Sequence, residues 1–288
     1  MTSHYIFKHF TGERALFKTH DAHIEHSTFD DGESPLKESD ELTISDTTFG
    51  WKYPLWYCRN VSLSHSTLLE TARSGIWYTH NISIDNSAIN APKTFRKSSH
   101  ITIANSSIPY ADETLWNCSD ITMTNVNVRG DYFGMNSSNI NLDNVKIDGN
   151  YAFDGGKNIV IRNSHLATKD ALWNTENVTV YDSVITGEYI GWNSKNLTFI
   201  NCVIESNQGL CYIDGLTLKN CIVRNTDLAF EYCSDIDAQI TSPVLSIKNP
   251  INGLIAAPHI DNIIFDDPDI DPSATKIKTN NSLSLKDN

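Results

Sequence analysis

Short runs in which apolar and polar residues alternate recur about every 19 residues along most of the chain. In one copy Ile82 and Ile84 flank a polar residue, Asn86 follows, and Ile89 is apolar again. Alternation with a period of two is typical of a strand with one buried face, so each copy predicts one short strand, a corner and a second short strand. With the first apolar residue as position 0, the copies begin at Ala22, Leu42, Val61, Ile82, Ile101, Ile121, Ile140, Ile159, Val178, Leu197 and Leu216, with a weaker copy near Ile236.

A fixed period of this size indicates a solenoid, in which each repeat buries its apolar face against the next. A third short strand is expected before each copy, as at Ile76-Trp77 and Leu172-Trp173. The pattern therefore predicts an all-β fold, a right-handed parallel β-helix (solenoid) of about 12 coils with roughly 19 residues per coil. The apolar spacing of a left-handed hexapeptide helix is absent, and tryptophan stands where a pentapeptide-repeat helix needs small residues.

The repeat runs without a linker from about residue 20 to about residue 245, so one domain is expected over residues 1–288. Residues 1–20 are predicted to form an N-terminal cap and residues 21–245 the coils. Residues 246–270 are predicted to form a C-terminal cap and residues 271–288 a polar tail. Caps are expected because an uncovered end coil would present unpaired strand edges.

Asparagine dominates position +4, the predicted corner. Asparagine tolerates the left-handed backbone conformation and its side chain can bond a nearby backbone group. Because the corners of successive coils lie above one another, we expect their amides to form a hydrogen-bonded ladder. The position is occupied by Asn86, Asn105, Asn125, Asn144, Asn163, Asn201 and Asn220, with His26, Asp46, His65 and Asp182 as variants.

Composition excludes several functional classes. A formal net charge of −13 argues against nucleic-acid binding, which needs clustered Lys and Arg. No window of 18 apolar residues and no signal-peptide core occurs, so we expect no membrane partner and a cytoplasmic location. The six cysteines have no metal-site spacing and are expected to be reduced core thiols, and five histidines near the start do not form a recognisable site. We expect no metal and no cofactor.

Three phrases late in the chain are similar to a known family. They are GEYIGWNSKNLTFINCVIESNQGLCYIDGLTLKNC at residues 187–221, then LAFEYCSDIDA, and then SIKNP. They resemble DUF3737, an uncharacterised bacterial family whose members have about this length, and the resemblance extends over nearly the whole chain. It implies a β-helix and brings no activity, cofactor or catalytic residue with it.

Position −5 mixes tryptophan with charged residues, which would be costly in a dry interior. The tryptophans are therefore predicted to lie at least partly on a lateral face, beside tyrosine and asparagine at position −4. Flat rings for stacking and amides for bidentate hydrogen bonds suit a sugar. Alternatively, the rings stack on one another and cover the edge of the core. The candidate ligand-binding residues are Trp116, Trp173, Trp192, Asn117, Asn174 and Asn193.

Carboxylates recur just before this aromatic column. Asp112 and Asp131 fall on neighbouring coils, so their carboxylates are expected to lie about 5 Å apart, a separation that suits a glycosidase pair or a bound cation. With Asp154 they are the candidate catalytic residues. A solvated loop edge in an acidic protein is the alternative interpretation.

These observations favour a cytoplasmic module that binds a carbohydrate, another small ligand or a protein partner on the Trp/Asn-rich face. The alternative is a carbohydrate-active enzyme, a polysaccharide lyase or a glycoside hydrolase, that uses the carboxylates on the same face. Acidic mimicry of DNA is disfavoured because the negative charge does not form dense rows. Pairing of two copies through the aromatic face is a further expectation.

Overall fold

The computed structural model describes residues 1–280, and the chain divides into two compact units, Met1–Asp148 (unit 1) and Gly149–Asn288 (unit 2). The fold is an all-β parallel β-solenoid of about 15 turns with about 19 residues per turn and almost no helix. The predicted fold class is confirmed. The number of turns exceeds the predicted 12 because segments outside the recognised repeat also join the stack.

In unit 1, longer strands alternate with strands of two residues in most coils. The strands are β1 (Ser3–Ile6), β2 (His9–Phe10), β3 (His20–Glu25), β4 (Thr28–Phe29), β5 (Asp40–Ser45), β6 (Thr48–Phe49), β7 (Arg59–Ser64), β8 (Thr67–Leu68), β9 (His80–Asp85), β10 (Ala88–Ile89), β11 (Ser99–Ala104), β12 (Ser107–Ile108), β13 (Ser119–Arg129) and β14 (Ser138–Asp148). A single 3₁₀ turn covers Glu70–Ala72.

The described part of unit 2 continues the same alternation and then becomes less regular. Its strands are β15 (Lys157–Arg162), β16 (His165–Ala167), β17 (Glu176–Tyr181), β18 (Val184–Glu188), β19 (Lys195–Ile200), β20 (Val203–Asn207), β21 (Asp214–Arg224), β22 (Ser234–Ile240), β23 (Val244–Lys248), β24 (Gly253–Ala256), β25 (Ile260–Ile264) and β26 (Thr275–Lys278). A 3₁₀ turn covers Pro272–Ala274.

Equivalent residues of successive repeats are neighbours in parallel register. Ile82 of β9 lies beside Ile101 of β11, which lies beside Ile121 of β13. The same holds in unit 2 for Val178 and Leu197. Apolar residues at positions 0, +2 and +7 fill the interior, so the alternation in the sequence sets which side chains are buried.

The end segments also pair with the stack, and the predicted bounds of the caps and the tail stay a prediction. Ser3 of β1 pairs with Ala22, and Thr275 of β26 pairs with Gly253. Backbone pairing between strands does not depend on an apolar side chain. These end segments have Ser, Gly or Thr at position 0, so the apolar pattern does not reveal them as copies of the repeat. Of the predicted polar tail, residues 281–288 lie outside the described residues.

The predicted third strand is wrong. The segment before each copy alternates extended residues with left-handed ones, for example Ser74, Ile76 and Tyr78 at φ of 55°, 54° and 59°. Left-handed residues cost about 1–2 kcal/mol each. Hydrogen bonds between coils persist, as from Tyr78 N to Arg96 O at 2.9 Å, and help to offset that cost. Only isolated bridges form there, such as the one that joins Trp77 to Arg96.

Buried hydroxyl groups hold the corners together from inside. Ser87 Oγ accepts a hydrogen bond from Ser66 N at 3.1 Å and donates one to Asp85 O at 2.8 Å. In unit 2, Ser183 Oγ accepts in the same way from Ser164 N at 3.0 Å. These residues stand at position +5, and a second internal series stands at position −3. The small residues are thus required both by space and by buried backbone groups that need partners.

Exposed amides form the predicted ladder on the outside of the corners. In unit 1, Asn125 Nδ2 donates to Asn105 Oδ1 at 3.0 Å and Asn144 Nδ2 donates to Asn125 Oδ1 at 2.8 Å. In unit 2, Asn220 donates to Asn201 at 2.9 Å. Because these asparagines have left-handed φ values, both parts of the prediction for position +4 are confirmed.

All six cysteines are free and buried, as predicted for core thiols. Burial raises the pKa of Cys58 and of Cys118 to about 12, so both thiols are held in the neutral form. Within residues 1–280, no helix is long and apolar enough to span a membrane. The cytoplasmic location stays a prediction.

We predict that Ser87→Ala lowers the free energy of unfolding by about 1–3 kcal/mol, because the buried Ser66 N–H loses its acceptor. Ser83→Ala is the matched control, since Ser83 is exposed on β9 and should change stability by less than about 0.5 kcal/mol. Urea unfolding followed by circular dichroism measures both. Equal effects of the two substitutions would contradict the role given to the internal hydroxyls.

Candidate functional site

The aromatic column of unit 1 is a closed stack. The Trp56 and Trp77 rings lie 5.2 Å apart with only 7° between their planes, and Tyr57 stacks on Tyr78 at 4.7 Å and 6°. The tryptophans are half-buried, as expected for a lateral position. Because parallel rings cover one another's faces, this column presents mainly ring edges to solvent.

Arg96 continues the stack where the repeat lacks a tryptophan. Its Cζ lies 4.7 Å from the ring centroids of both Trp77 and Trp116, and its Nη2 lies 3.3 Å from Glu113 Oε2. Lys93 Nζ contacts the same carboxylate at 3.0 Å. A guanidinium between two ring faces is a favourable cation–π arrangement, so the charge predicted to be incompatible with the core is stabilised at its edge.

Two of the predicted ligand-binding residues lie in this closed column. Arg96 covers one face of Trp116, and the indole Nε1 of Trp116 donates to Tyr132 O at 2.7 Å. Asn117 is exposed beside it, in the left-handed conformation. The position of Arg96 over its ring favours, for Trp116, the alternative interpretation in which the rings cover the edge of the core.

Asp112 and Asp131 are brought onto neighbouring coils of unit 1, as predicted. Asp112 Oδ1 accepts a hydrogen bond from the backbone N of Asp131 at 3.0 Å. One oxygen of Asp112 is therefore engaged in holding the turn. Among residues 1–280, no group of three or more His, Cys, Asp or Glu side chains is arranged to hold a metal ion.

Unit 2 carries a different aromatic surface, which we call the aromatic face of unit 2. It consists of Tyr151, Trp173, Tyr189, Trp192, Tyr212 and Tyr232. Neighbouring rings along the column are inclined by 34° between Trp173 and Trp192 and by 38° between Trp192 and Tyr212. These rings are thus inclined to one another, in contrast to the nearly parallel rings of Trp56 and Trp77 in unit 1.

A short amide ladder runs beside these rings. Asn193 Nδ2 donates to Asn174 Oδ1 at 2.8 Å, and Asn174 Nδ2 donates to Asp154 Oδ1 at 2.8 Å. The structure thus brings together Trp173, Trp192 and the three polar residues predicted for this part of the chain. Each primary amide has two N–H groups, and the ladder uses one of them per residue.

Asp170 is a functional candidate that sequence reasoning did not select. It is 2% exposed, and its Oδ1 has no hydrogen-bond partner among the described residues. Burial raises the pKa of this carboxyl group, opposed by the charge of Lys169 and by a hydrogen bond from Tyr151. The sequence showed an acid at position −8, where Tyr151 and Tyr189 stand in neighbouring copies. The sequence did not indicate that Asp170 is buried, because buried side chains were expected only within the strands.

The far end of the same face is closed by paired charges. Glu231 accepts from Gln208 Nε2 at 2.9 Å and lies 3.3 Å from Lys248 Nζ. Tyr232 donates its hydroxyl hydrogen to Asp267 Oδ2 at 2.7 Å. This hydrogen bond raises the pKa of Tyr232 to about 12 and lowers the pKa of Asp267.

The family model described as "Protein of unknown function (DUF3737)" matches residues 4–278. No curated protein matches the chain.

Several solved structures share the solenoid at low identity. An alginate lyase of the PL6 group in complex with a trisaccharide is 11% identical, with 97% of this chain and 89% of that chain covered and a TM-score of 0.46. The A-module of the mannuronan C-5 epimerase AlgE4 of Azotobacter vinelandii is 10% identical, with coverages of 96% and 89% and a TM-score of 0.33. PfbA, a surface adhesin of Streptococcus pneumoniae, is 11% identical, with coverages of 91% and 81% and a TM-score of 0.36. Similarities this weak assign no activity to this chain.

We predict that Asp267→Asn moves the pKa of Tyr232 from about 12 down towards the ordinary tyrosine value of about 10. The hydrogen bond between the two side chains favours protonated tyrosine and ionised aspartate, so it is fully present between the ordinary aspartate pKa and the ordinary tyrosine pKa. It is lost as the pH rises through the raised pKa of Tyr232 or falls through the lowered pKa of Asp267. Tyrosine ¹³Cζ NMR measures the titration, with Tyr232→Phe for assignment and the exposed Asp269→Asn as the control. An unchanged midpoint in Asp267→Asn would contradict the pairing.

Proposed function

This chain belongs to the DUF3737 family, whose function is unknown, and we propose that it is a carbohydrate-binding module that holds a glycan against the aromatic face of unit 2. The observation that carries the proposal is the contrast between the two aromatic columns. In unit 1 the rings lie parallel at 7°, whereas in unit 2 they are inclined by 34° to 38°.

Stacking of a sugar needs an open ring face, because the C–H groups of the sugar contact the electron-rich surface of the ring. The rings of Trp173, Trp192 and Tyr212 follow one another with centroid distances of 6.1 and 4.4 Å. Such a row supports contact with several consecutive sugar units. Tyr151 and Tyr189 contact the tryptophans edge-on at 6.0 and 5.9 Å and hold their orientation.

Hydrogen-bonding groups stand where hydroxyl groups of a stacked sugar would be placed. Asn174 and Asn193 are exposed and belong to a ladder that fixes their amide orientation. A fixed amide loses little side-chain entropy when it binds a ligand, which favours affinity. Asp154, at the base of the ladder, adds a carboxylate acceptor beside the first ring.

Two further expectations concern partners. Self-association through the aromatic face stays a prediction, and it would compete with glycan for the same rings. The proposal keeps the cytoplasmic location inferred from the sequence, and it requires no metal or cofactor.

We expect Trp173→Ala and Trp192→Ala to weaken oligosaccharide binding at least about tenfold, because each removes a stacking surface at the centre of the site. Titration of a panel of neutral, amino and uronic-acid hexasaccharides, followed by tryptophan fluorescence and calorimetry, measures the affinities.

Trp116→Ala is the matched control, since Trp116 lies in the closed column of unit 1 and should leave affinity within about twofold. Thermal melting of each variant verifies folding. Equal losses in Trp116→Ala and Trp192→Ala, or binding that survives in both unit 2 variants, would refute the assignment of the face.

The enzyme alternative rests on Asp112 and Asp131, which lie on neighbouring coils of unit 1. Asp154, which belongs to unit 2, is the other candidate catalytic residue and is tested by itself. Under the binding proposal, every oligosaccharide that binds is recovered intact after prolonged incubation with micromolar protein, as measured by mass spectrometry. Cleavage that disappears in Asp131→Asn or Asp154→Asn would establish the alternative and contradict a purely binding role.

A further inference from the structure

We propose that His4 and His23, on neighbouring strands of unit 1, bind one divalent transition-metal cation such as Zn²⁺, Ni²⁺ or Cu²⁺, and that this ion fastens the first coil to the second. The inference is independent of the aromatic face of unit 2 and of the glycan proposed for it. Neither histidine has a part in the proposed function.

The fold brings these two histidines together although they are one repeat apart in the sequence. β1 pairs with β3 in parallel register, with Ser3 beside Ala22 and His4 beside His23. Ala22 and Ile24 are fully buried, so His23 between them faces outward. His4 is exposed and His23 is half-buried. Both imidazoles therefore lie on the outer face of the sheet, where an ion from solvent can reach them.

The separation of the two rings fits a shared ion. Their centroids lie 5.1 Å apart, with 36° between the ring planes. With nitrogen–metal bonds of about 2.0–2.1 Å, two imidazoles on one tetrahedral ion have their centres roughly 5 Å apart. The spacing of neighbouring strands, about 4.8 Å, sets this distance in the backbone. Rotation of the rings about χ2, a broad torsion, then directs one nitrogen of each towards the ion.

The other three histidines near the start each contact a different side chain. They are His9 with Asp30 at 3.3 Å, His20 with Asp40 at 2.6 Å, and His26 with Phe7 at 5.0 Å between ring centroids. Among residues 1–280, His4 and His23 have neither a hydrogen-bond nor an ion-pair partner, and they contact each other's rings. Their nitrogens are therefore free to bind a ligand.

The chemistry of the pair selects the class of ion. Imidazole suits Zn²⁺, Ni²⁺ and Cu²⁺, whereas Mg²⁺ and Ca²⁺ take oxygen ligands. Asp21 and Glu25 stand two residues before and after His23 and add negative charge that attracts a cation. No set of three or more His, Cys, Asp or Glu side chains forms a metal site within residues 1–280. Two imidazoles and water molecules therefore complete the coordination, and Cu²⁺ should bind more tightly than Ni²⁺ or Zn²⁺.

An ion held by one side chain from each strand links the first coil to the second. β1 contains four residues, so its attachment to the stack depends on few backbone hydrogen bonds. Segments attached in this way open locally more often than the rest of a fold. Because the ion needs both histidines in place, its binding opposes the opening of β1.

Calorimetric titration of the full chain with Zn²⁺ at mildly basic pH, where free imidazole is neutral, tests the site. We expect one Zn²⁺ per chain, with Mg²⁺ bound at least about tenfold more weakly. His4→Gln and His23→Gln should each weaken Zn²⁺ binding at least about tenfold, because the ion then keeps a single protein ligand.

His80→Gln is the matched control, since His80 and His100 form a second close pair in unit 1 with ring centroids 4.7 Å apart. There His80 Nδ1 lies 2.7 Å from Ser99 Oγ and His100 Nδ1 lies 3.7 Å from Asp120 Oδ2, so both rings have other partners. The control should leave Zn²⁺ affinity within about twofold. Thermal melting without metal verifies that each variant is folded.

Amide hydrogen exchange gives a readout that needs no variant. Saturating Zn²⁺ should slow exchange in β1 at least about tenfold and leave exchange in β13 unchanged, because only the linked coil is held closed. Zn²⁺ binding that is the same in the unsubstituted chain, His4→Gln and His23→Gln, whether measurable or absent, would overturn the inference. Unchanged exchange in β1 at saturating Zn²⁺ would overturn the fastening of the first coil.

Discussion

Hydrogen bonding at the corners is the constraint on which the rest of the structure depends. Each coil turns sharply within about 19 residues, and each turn directs backbone groups away from the regular strand ladder. Inside, hydroxyl groups such as that of Ser87 accept from one coil and donate to a carbonyl group. Outside, amides such as that of Asn125 join one coil to the next. Within each unit these bonds join neighbouring coils, and equivalent side chains of successive coils come to lie beside one another.

Much of this architecture could be predicted because it depends on local pattern. Alternation at positions 0 and +2 identifies the buried face, and asparagine at position +4 identifies the corner and its ladder. The apolar pattern does not extend to Ser3 and Thr275, because backbone pairing does not require an apolar residue at position 0. The third side was misassigned because residues such as Ile76 adopt a left-handed conformation that is rare for branched side chains.

The residues that form the aromatic column could be predicted from the sequence, but the orientation of their rings could not. Tryptophan at position −5 indicates a lateral aromatic row in both units, but ring inclination depends on what occupies the neighbouring positions. In unit 1, Arg96 lies over the rings of both Trp77 and Trp116 and continues the row. In unit 2, the rings of Trp192 and Tyr212 are inclined to one another by 38°. Asp170 was not selected for a related reason, since an acid before a strand gives no sign in the sequence that it is only 2% exposed.

The central claim is that the two aromatic columns differ in function, with ligand contact confined to unit 2. The most direct measurement is the ¹⁵N indole spectrum of the six tryptophans during titration with a hexasaccharide that binds. The account predicts that the indole signals of Trp173 and Trp192 shift while those of Trp56, Trp77 and Trp116 stay in place. Shifts confined to the unit 1 tryptophans, or no shift of any indole signal at saturating ligand, would contradict it.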